Sequence, residues 1–234
     1  MSRPTGWVGL NQPLYEGMPR ASECSAVRIE PEDLVGTGPP EAAVRTTHLT
    51  LSAHVGRNVD AALHFMPDGR SIDQYPVEAF TGPGVVIDAP REGVVPVTRD
   101  EVEALDPDVH EGDIVLFHLG YGHRFGTPGY ADHPYLGEDT AHWLVERGVR
   151  MIGVDTSTPD LGGVHRPPGY PFPVHMILPS RDILIIEHLG AGLAQLAGQR
   201  VEVVAVPVPV RGADGAPAAV LARAVPGTTE GEDL

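Results

Sequence analysis

Side chains that can bind metals or move protons recur at alternate positions in one short segment of the chain. Four of them fall on even-numbered positions: His54, Asn58, Asp60 and His64. In an extended chain alternate residues lie on one face, so the spacing predicts a strand with one polar side. Imidazoles and carboxylates are ligands of zinc and manganese and the usual groups of acid–base catalysis. The segment therefore predicts a metal-binding or catalytic face, with a hydrogen-bonded, solvated strand as the simpler interpretation.

A second candidate group lies further along the chain, at His175 and Glu187. Glu187 ends an apolar run, residues 182–187, that is typical of a buried strand. Burying a carboxylate is costly unless it is paired or bound to a metal, so Glu187 is a candidate metal ligand. A strand-end glutamate that reaches water is an equally good interpretation.

Short runs rich in valine and isoleucine predict the strands that must position these residues. They span residues 44–54, 84–89, 113–119, 149–155, 182–187 and 201–210. Thr98 and Glu101 form a capping box that predicts a helix to Leu105, and residues 138–147 predict a second helix that ends at Gly148. These helices are too few and too short for a regularly alternating doubly wound fold. We expect one α/β (α+β) domain, residues 1–225, with a mixed β-sheet core and flanking helices.

Composition narrows the classes of partner. The 234 residues include 16 basic and 32 acidic side chains, a formal net charge of -16, which repels nucleic acid and anionic lipid. No apolar run approaches the roughly 20 residues that cross a bilayer. A single cysteine, Cys24, and the lack of a signal-peptide pattern favour a cytoplasmic protein that binds a small-molecule substrate. The acidic segment at residues 226–234 lacks a core-forming pattern and is predicted to be disordered.

The order of the motifs resembles the cyclase family that includes bacterial kynurenine formamidase and isatin hydrolase. The resemblance lies in His-x-Gly-x-x-x-Asp-x-x-x-His at residues 54–64, Pro-x-His at 173–175 and Glu-x-Leu at 187–189. Further similarity lies at 12–19, at 71–73 with 82–88, and at 151–157. It implies a two-metal site to which His54, Asp60, His175 and Glu187 contribute ligands. It also implies that His64 is the acid–base histidine and that the protein is a homodimer or homotetramer.

Three residues depart from the family motif, which runs His-x-Gly-Thr-His-x-Asp-x-Pro-x-His, and one of them, Ala62, replaces the proline. Asn58 stands in place of the second metal-binding histidine, and Arg57 replaces the threonine. An amide oxygen is a weak neutral ligand, whereas a guanidinium adds a permanent charge and five donors. We therefore expect either a single Zn or Mn ion held by some of the four remaining ligands, or no metal, with Arg57 polarising a substrate carbonyl. A surface arginine that points to solvent is the alternative for Arg57.

Three functions fit this pattern. We favour a ring-forming cyclase of secondary metabolism that needs no metal and joins carbonyl-containing groups with loss of water, because it explains Asn58 and Arg57 together. The first alternative is a metal-dependent amidohydrolase that cleaves an N-formyl or cyclic amide. The second is an inactive relative that binds a metabolite or a partner protein, which the retention of five of six polar site positions makes less favourable.

The favoured function assigns a role to each site residue. The catalytic residues are expected to be His64, Asp60 and Arg57. The substrate-binding residues are expected to be Asn58, Phe65 and Tyr121.

Overall fold

The computed structural model describes residues 6–34 and 44–225, so the segment at residues 226–234 lies outside the described residues. The strands are β1 (Val8–Gly9), β2 (Arg28–Leu34), β3 (Val44–Thr50), β4 (Asn58–Asp60), β5 (Thr81–Asp88), β6 (Pro96–Val97), β7 (Ile114–His118), β8 (Tyr135–Leu136), β9 (Met151–Val154), β10 (Leu184–Glu187), β11 (Arg200–Pro207) and β12 (Gly215–Ala224). The α-helices are α1 (Arg99–Ala104), α2 (Glu138–Glu146) and α3 (Pro173–Ile177). Within these described ranges, no helix is long and apolar enough to span a membrane.

Eight strands form one mixed sheet in the order β1-β12-β11-β5-β7-β9-β10-β4. Strands β5, β7, β9 and β10 run parallel to one another, and the other pairs are antiparallel. Strand β4 also pairs with β12, with Asp60 opposite Gly215, so the sheet closes on itself. The predicted mixed sheet is confirmed, and its closure, which depends on a three-residue strand, was not predicted.

Both faces of the main sheet are packed, and strand alternation decides which residues each face receives. Val59 and Ile186 enter one apolar cluster. Ile185 and Phe117 enter the cluster on the opposite face, together with Trp143 of α2. Since neighbouring strand residues point to opposite sides, the residues that flank Val59 and Ile186 lie on the helix-covered face. This alternation places Asn58, Asp60 and Glu187 on the same side of the sheet.

The local signals predicted α1, α2 and the strands β5, β7, β9, β10 and β11 close to their observed bounds, whereas α3, β1, β2, β6, β8 and β12 were not predicted. The capping box of α1 is present: Glu101 N donates to Thr98 Oγ1, and Thr98 N donates to Glu101 Oε2 at 2.8 Å. After α2, Gly148 adopts a φ of 65°, as expected for a glycine that ends a helix. The predicted strand at 44–54 is too long, because β3 ends at Thr50 and pairs only with β2 in a separate two-stranded sheet.

Candidate metal and acid–base site

The segment from His54 to His64 does not form the single extended strand that its alternation predicted. Only Asn58–Asp60 is a strand, and His64 ends a short 3-10 turn, Ala62–His64. The chain bends at Gly56, whose φ is 63° and whose missing Cβ would lie 2.7 Å from Met18 Cε. The turns nevertheless return both imidazoles to one place, since the His54 and His64 rings stack with centroids 3.9 Å apart. The predicted grouping is therefore right, although the predicted backbone is wrong.

One half of the site is a hydrogen-bonded histidine cluster, defined here as His54, His64, Asp60 and Asp214. His54 contacts a carboxylate through each ring nitrogen: Nδ1 lies 2.7 Å from Asp60 Oδ1, and Nε2 lies 2.9 Å from Asp214 Oδ2. The same Asp214 oxygen lies 2.9 Å from His64 Nδ1. Asp214 was not predicted, because the Asp-Gly dipeptide at 214–215 is an ordinary turn signal.

The other half is a buried triad of Asp60, His175 and Glu187. His175 Nε2 lies 3.6 Å from Asp60 Oδ2 and 3.6 Å from Glu187 Oε1, too far for good hydrogen bonds. Asp60 Oδ2 is buried and has no hydrogen-bond partner among the described residues. Ligand atoms about 2.1 Å from a tetrahedral ion lie roughly 3.4 Å apart, close to the observed spacing. The triad therefore fits a divalent cation, as predicted for these three residues.

A second unpredicted carboxylate, Asp160, orients His175. Asp160 Oδ2 lies 2.6 Å from His175 Nδ1 and accepts a hydrogen bond from His175 N at 3.1 Å, while Oδ1 accepts one from Val174 N at 3.2 Å. These bonds fix the first turn of α3 and aim the free Nε2 at Asp60 and Glu187. Asp160 lies in the loop that follows β9, 15 residues before His175. The sequence offered no specific signal for this role, only the general tendency of loops to carry functional residues.

Charge in the site favours a bound cation. Burial alone would raise the pKa of Asp60, but the imidazole of His175 nearby and the hydrogen-bonded imidazole of His54 hold that pKa well below its usual range. Burial alone would lower the pKa of His54, whereas Asp60 and Asp214 raise it to about 9. Asp160, Asp60 and Glu187 likewise raise the pKa of His175 well above its ordinary value, against the effect of burial. The lowered pKa of Asp60 means that the site stabilises positive charge, either as a proton on a histidine or as a metal ion that displaces that proton.

The histidine cluster fits a metal less well than the triad does. Asn58 Nδ2 donates a hydrogen bond to Asp60 Oδ1 at 2.5 Å. This bond places the amide nitrogen, and not the amide oxygen, where a metal-binding atom would be needed. His54 uses both ring nitrogens in hydrogen bonds to carboxylates. Asn58 is also fully buried, so its predicted contact with substrate is not supported.

Two other predicted site residues lie in different surroundings. Arg57 donates through Nε to the Ala218 carbonyl of β12, and burial lowers its pKa to about 10. This engagement with the backbone does not support its predicted role as the carbonyl-polarising group. Tyr121 is buried, and its hydroxyl donates to the Asp132 carbonyl at 2.8 Å and accepts from Gly93 N at 3.2 Å. These bonds join two loops, which explains Tyr121 better than a contact with substrate does.

An aromatic wall borders the two halves of the site. The Phe65 ring lies 4.6 Å from the His175 ring, 4.9 Å from the His64 ring and 5.4 Å from the Phe172 ring, measured between centroids. Phe172 holds the left-handed backbone conformation, with a φ of 50°, at the residue before α3. The predicted position of Phe65 at the site is thus supported, and Phe172 joins it.

Comparison with known proteins agrees with this geometry. Residues 8–161 match the family described as "Putative cyclase". A kynurenine formamidase from Delftia acidovorans is 30% identical over 186 residues, which cover 80% of this chain and 83% of that protein. Isatin hydrolase A from Labrenzia aggregata has a TM-score of 0.81 at 25% identity and covers 93% of both chains. A protein described as a potential metal-dependent hydrolase with cyclase activity has a TM-score of 0.71 at 26% identity, covering 93% of this chain and 96% of that one. This chain belongs to the cyclase family, and its named relatives are hydrolases that act on C–N bonds.

Proposed function

We propose that this protein is a metal-dependent amidohydrolase that cleaves an N-formyl or cyclic amide. The observation that carries the proposal is the buried triad of Asp60, His175 and Glu187, in which one carboxylate oxygen has no hydrogen-bond partner among the described residues. A divalent ion held by these three residues would polarise an amide carbonyl and lower the pKa of a water molecule. The names of the relatives, kynurenine formamidase and isatin hydrolase, support the same bond type.

His64 is the residue best placed to move the proton. Its side chain is 27% exposed, against 15% for His54 and 5% for His175, so it is the most accessible imidazole of the three. In hydrolysis, the carbonyl carbon gains the oxygen of water, the C–N bond breaks, and the leaving nitrogen takes a proton. His64 would accept the proton from water and return it to that nitrogen, while Phe65 and Phe172 would contact an aromatic substrate.

The ring-forming cyclase that the sequence favoured receives less support. Its metal-free mechanism needed Arg57 as the electrophile, and Arg57 instead binds the Ala218 carbonyl. The Asn58 side chain bonds to Asp60 Oδ1, the oxygen that faces the histidine cluster, and the three candidate ligands of the triad are all present. A hydrolase with a reduced metal site accounts for both observations without a new reaction.

Metal analysis combined with an activity assay tests the proposal. Purified protein is analysed for metal per chain, and hydrolysis of N-formylkynurenine and of isatin is followed before chelation, after chelation and after Zn or Mn is restored. We expect about one tightly bound ion per chain and a chelator-sensitive activity on an amide of this class. Turnover that persists in fully chelated protein would refute the hydrolase and favour the metal-free cyclase.

A pair of matched variants separates metal loss from general damage. Glu187→Gln removes one triad carboxylate and should abolish both the bound ion and the activity. Glu202→Gln is the control, because Glu202 of β11 makes an exposed ion pair with Arg223 of β12 and is not part of the triad. If Glu187→Gln kept its ion and its rate, the triad would not be the metal site.

A further inference from the structure

The carboxylate of Asp214 reaches the histidine cluster from a separate part of the chain. Asp214 directly precedes β12, and its carbonyl accepts a hydrogen bond from Ala61 N at 2.9 Å. The next residue, Gly215, pairs with Asp60 across the β12–β4 seam. A Cβ at Gly215 would lie 2.6 Å from His54 Cε1, so only glycine lets the imidazole pack against this backbone. Asp214 is thus held in place by the closure of the sheet.

The contact between Asp214 and His64 selects one form of the imidazole. Asp214 Oδ2 lies 2.9 Å from His64 Nδ1, and an ionised carboxylate can only accept a hydrogen bond. The proton of a neutral His64 must therefore be on Nδ1, which leaves Nε2 as the proton acceptor. The ring is further confined between the stacked His54 ring and the edge-on Phe65 ring.

We infer that Asp214 is a positioning residue that holds His64 as the Nδ1–H tautomer with Nε2 presented to the substrate. The catalytic part of this inference rests on the proposed hydrolase function, whereas the tautomer itself can be measured without any reaction. Asp214 acts through His64 and does not need to contact the substrate. A merely structural Asp214 would stabilise the loop before β12 and leave the tautomer unaffected.

Nitrogen-15 NMR of the histidine rings tests the tautomer directly. The His64 signals are assigned by their disappearance in His64→Gln, and the spectra are recorded for metal-free protein at a pH where His64 is neutral. We expect the Nδ1–H form in the wild type and in Asp214→Asn, whose amide oxygen can still accept the bond. Asp214→Ala should shift His64 to the Nε2–H form, because the acceptor is gone.

Kinetics supply the second measurement. Asp214→Ala should lower kcat by about 10- to 100-fold with KM unchanged, on the scale of other partners that orient a functional histidine. Asp88→Ala is a matched control, because Asp88 lies 2.7 Å from His118 Nδ1 and its side chain is 46% exposed, against 42% for Asp214. The control should leave kcat unchanged.

The outcomes separate this inference from the proposed function. If the wild-type protein shows His64 as the Nε2–H form, or if Asp214→Ala leaves an Nδ1–H tautomer in place, the inference is wrong whatever the reaction. The wild-type spectrum decides the matter even if Asp214→Ala fails to fold. If no amide is hydrolysed but the tautomer behaves as expected, the proposed function fails and the positioning role of Asp214 stands.

Discussion

Replacing Asp160 with asparagine should weaken metal binding without removing any ligand. All the hydrogen bonds described for the two Asp160 side-chain oxygens place a donor against them: Val174 N and the Tyr170 hydroxyl at Oδ1, and His175 N and Nδ1 at Oδ2. An amide can keep its oxygen toward His175, but its NH2 group then faces the Val174 N–H at about the same distance. The variant therefore loses one good acceptor and the negative charge behind the His175 ring.

Two magnitudes follow from these contacts. A buried donor left without an acceptor costs about 1–3 kcal/mol, which we expect as a loss of unfolding free energy. Loss of a carboxylate behind a metal-binding histidine typically lowers metal affinity by about 10- to 100-fold. The two losses are of similar size, since a 10- to 100-fold fall in affinity corresponds to about 1.4–2.7 kcal/mol.

Competition with a chromophoric chelator measures the affinity, and thermal or denaturant unfolding of metal-free protein measures the stability. Asp132→Asn is a suitable control, because Asp132 lies 2.7 Å from His165 Nε2 in an exposed pair. An affinity of Asp160→Asn equal to that of the wild type would refute the view that Asp160 orients His175 for an ion. A loss of stability alone would make Asp160 an anchor of α3 and nothing more.

Three further predictions follow from the site. His64→Ala should lower kcat by about a hundredfold or more with the fold intact by circular dichroism, and near-normal turnover would remove His64 from the mechanism. Asn58→His should raise the amount of bound metal toward two ions per chain by elemental analysis, because an imidazole is a far better ligand than an amide; an unchanged single ion would show that position 58 does not limit metal binding. Burial lowers the pKa of His133 to about 4. Between pH 6.5 and 4 the imidazole is therefore protonated in the unfolded chain and neutral in the folded chain. The free energy of unfolding falls by up to about 1.4 kcal/mol per pH unit as the pH drops through this range. Denaturant titrations across that range should show a shallower pH dependence for His133→Gln, and an identical slope would contradict the effect of burial.

The predictable parts of the fold are those with local causes. The capping box at Thr98 and the glycine after α2 act within one helical turn, so the sequence alone predicts the start of α1 and the end of α2. Valine- and isoleucine-rich runs mark strands because buried strands of a mixed sheet are apolar on both faces. The alternation of His54, Asn58, Asp60 and His64 correctly grouped these residues, although only three residues of the segment are extended. Turns at Gly56 and Ala62–His64 keep the histidines on the same side as Asp60.

The residues that the sequence did not reveal are those that tertiary pairing supplies. Asp160 reaches His175 only because the loop after β9 packs against the start of α3. Asp214 reaches His64 only because β12 pairs with β4 and closes the sheet. Neither carboxylate belongs to a spaced motif, and Asp-Gly is a common turn, so no local pattern distinguishes them from surface residues. Arg57 is the opposite case, since it was assigned a function from its place beside a functional position; its bond to Ala218 does not support that function, which stays a prediction.

The two oxygens of Asp60 explain how a family site can lose a ligand and keep a usable half. Oδ1 accepts hydrogen bonds from Asn58 Nδ2 and His54 Nδ1, so the hydrogen-bonding capacity of that oxygen is used inside the histidine cluster. Oδ2 faces His175 and has no hydrogen-bond partner among the described residues. The Asn58 side chain bonds to Oδ1, whereas its pairing with Glu187 across β4 and β10 is made by the backbone. A change of side chain at position 58 therefore acts on one oxygen of Asp60 and leaves the strand pairing that positions Glu187 in place. Asparagine in place of the second histidine therefore favours one bound ion, whereas the family pattern implies two. Protons on the histidine cluster would supply the positive charge that the other ion would have contributed.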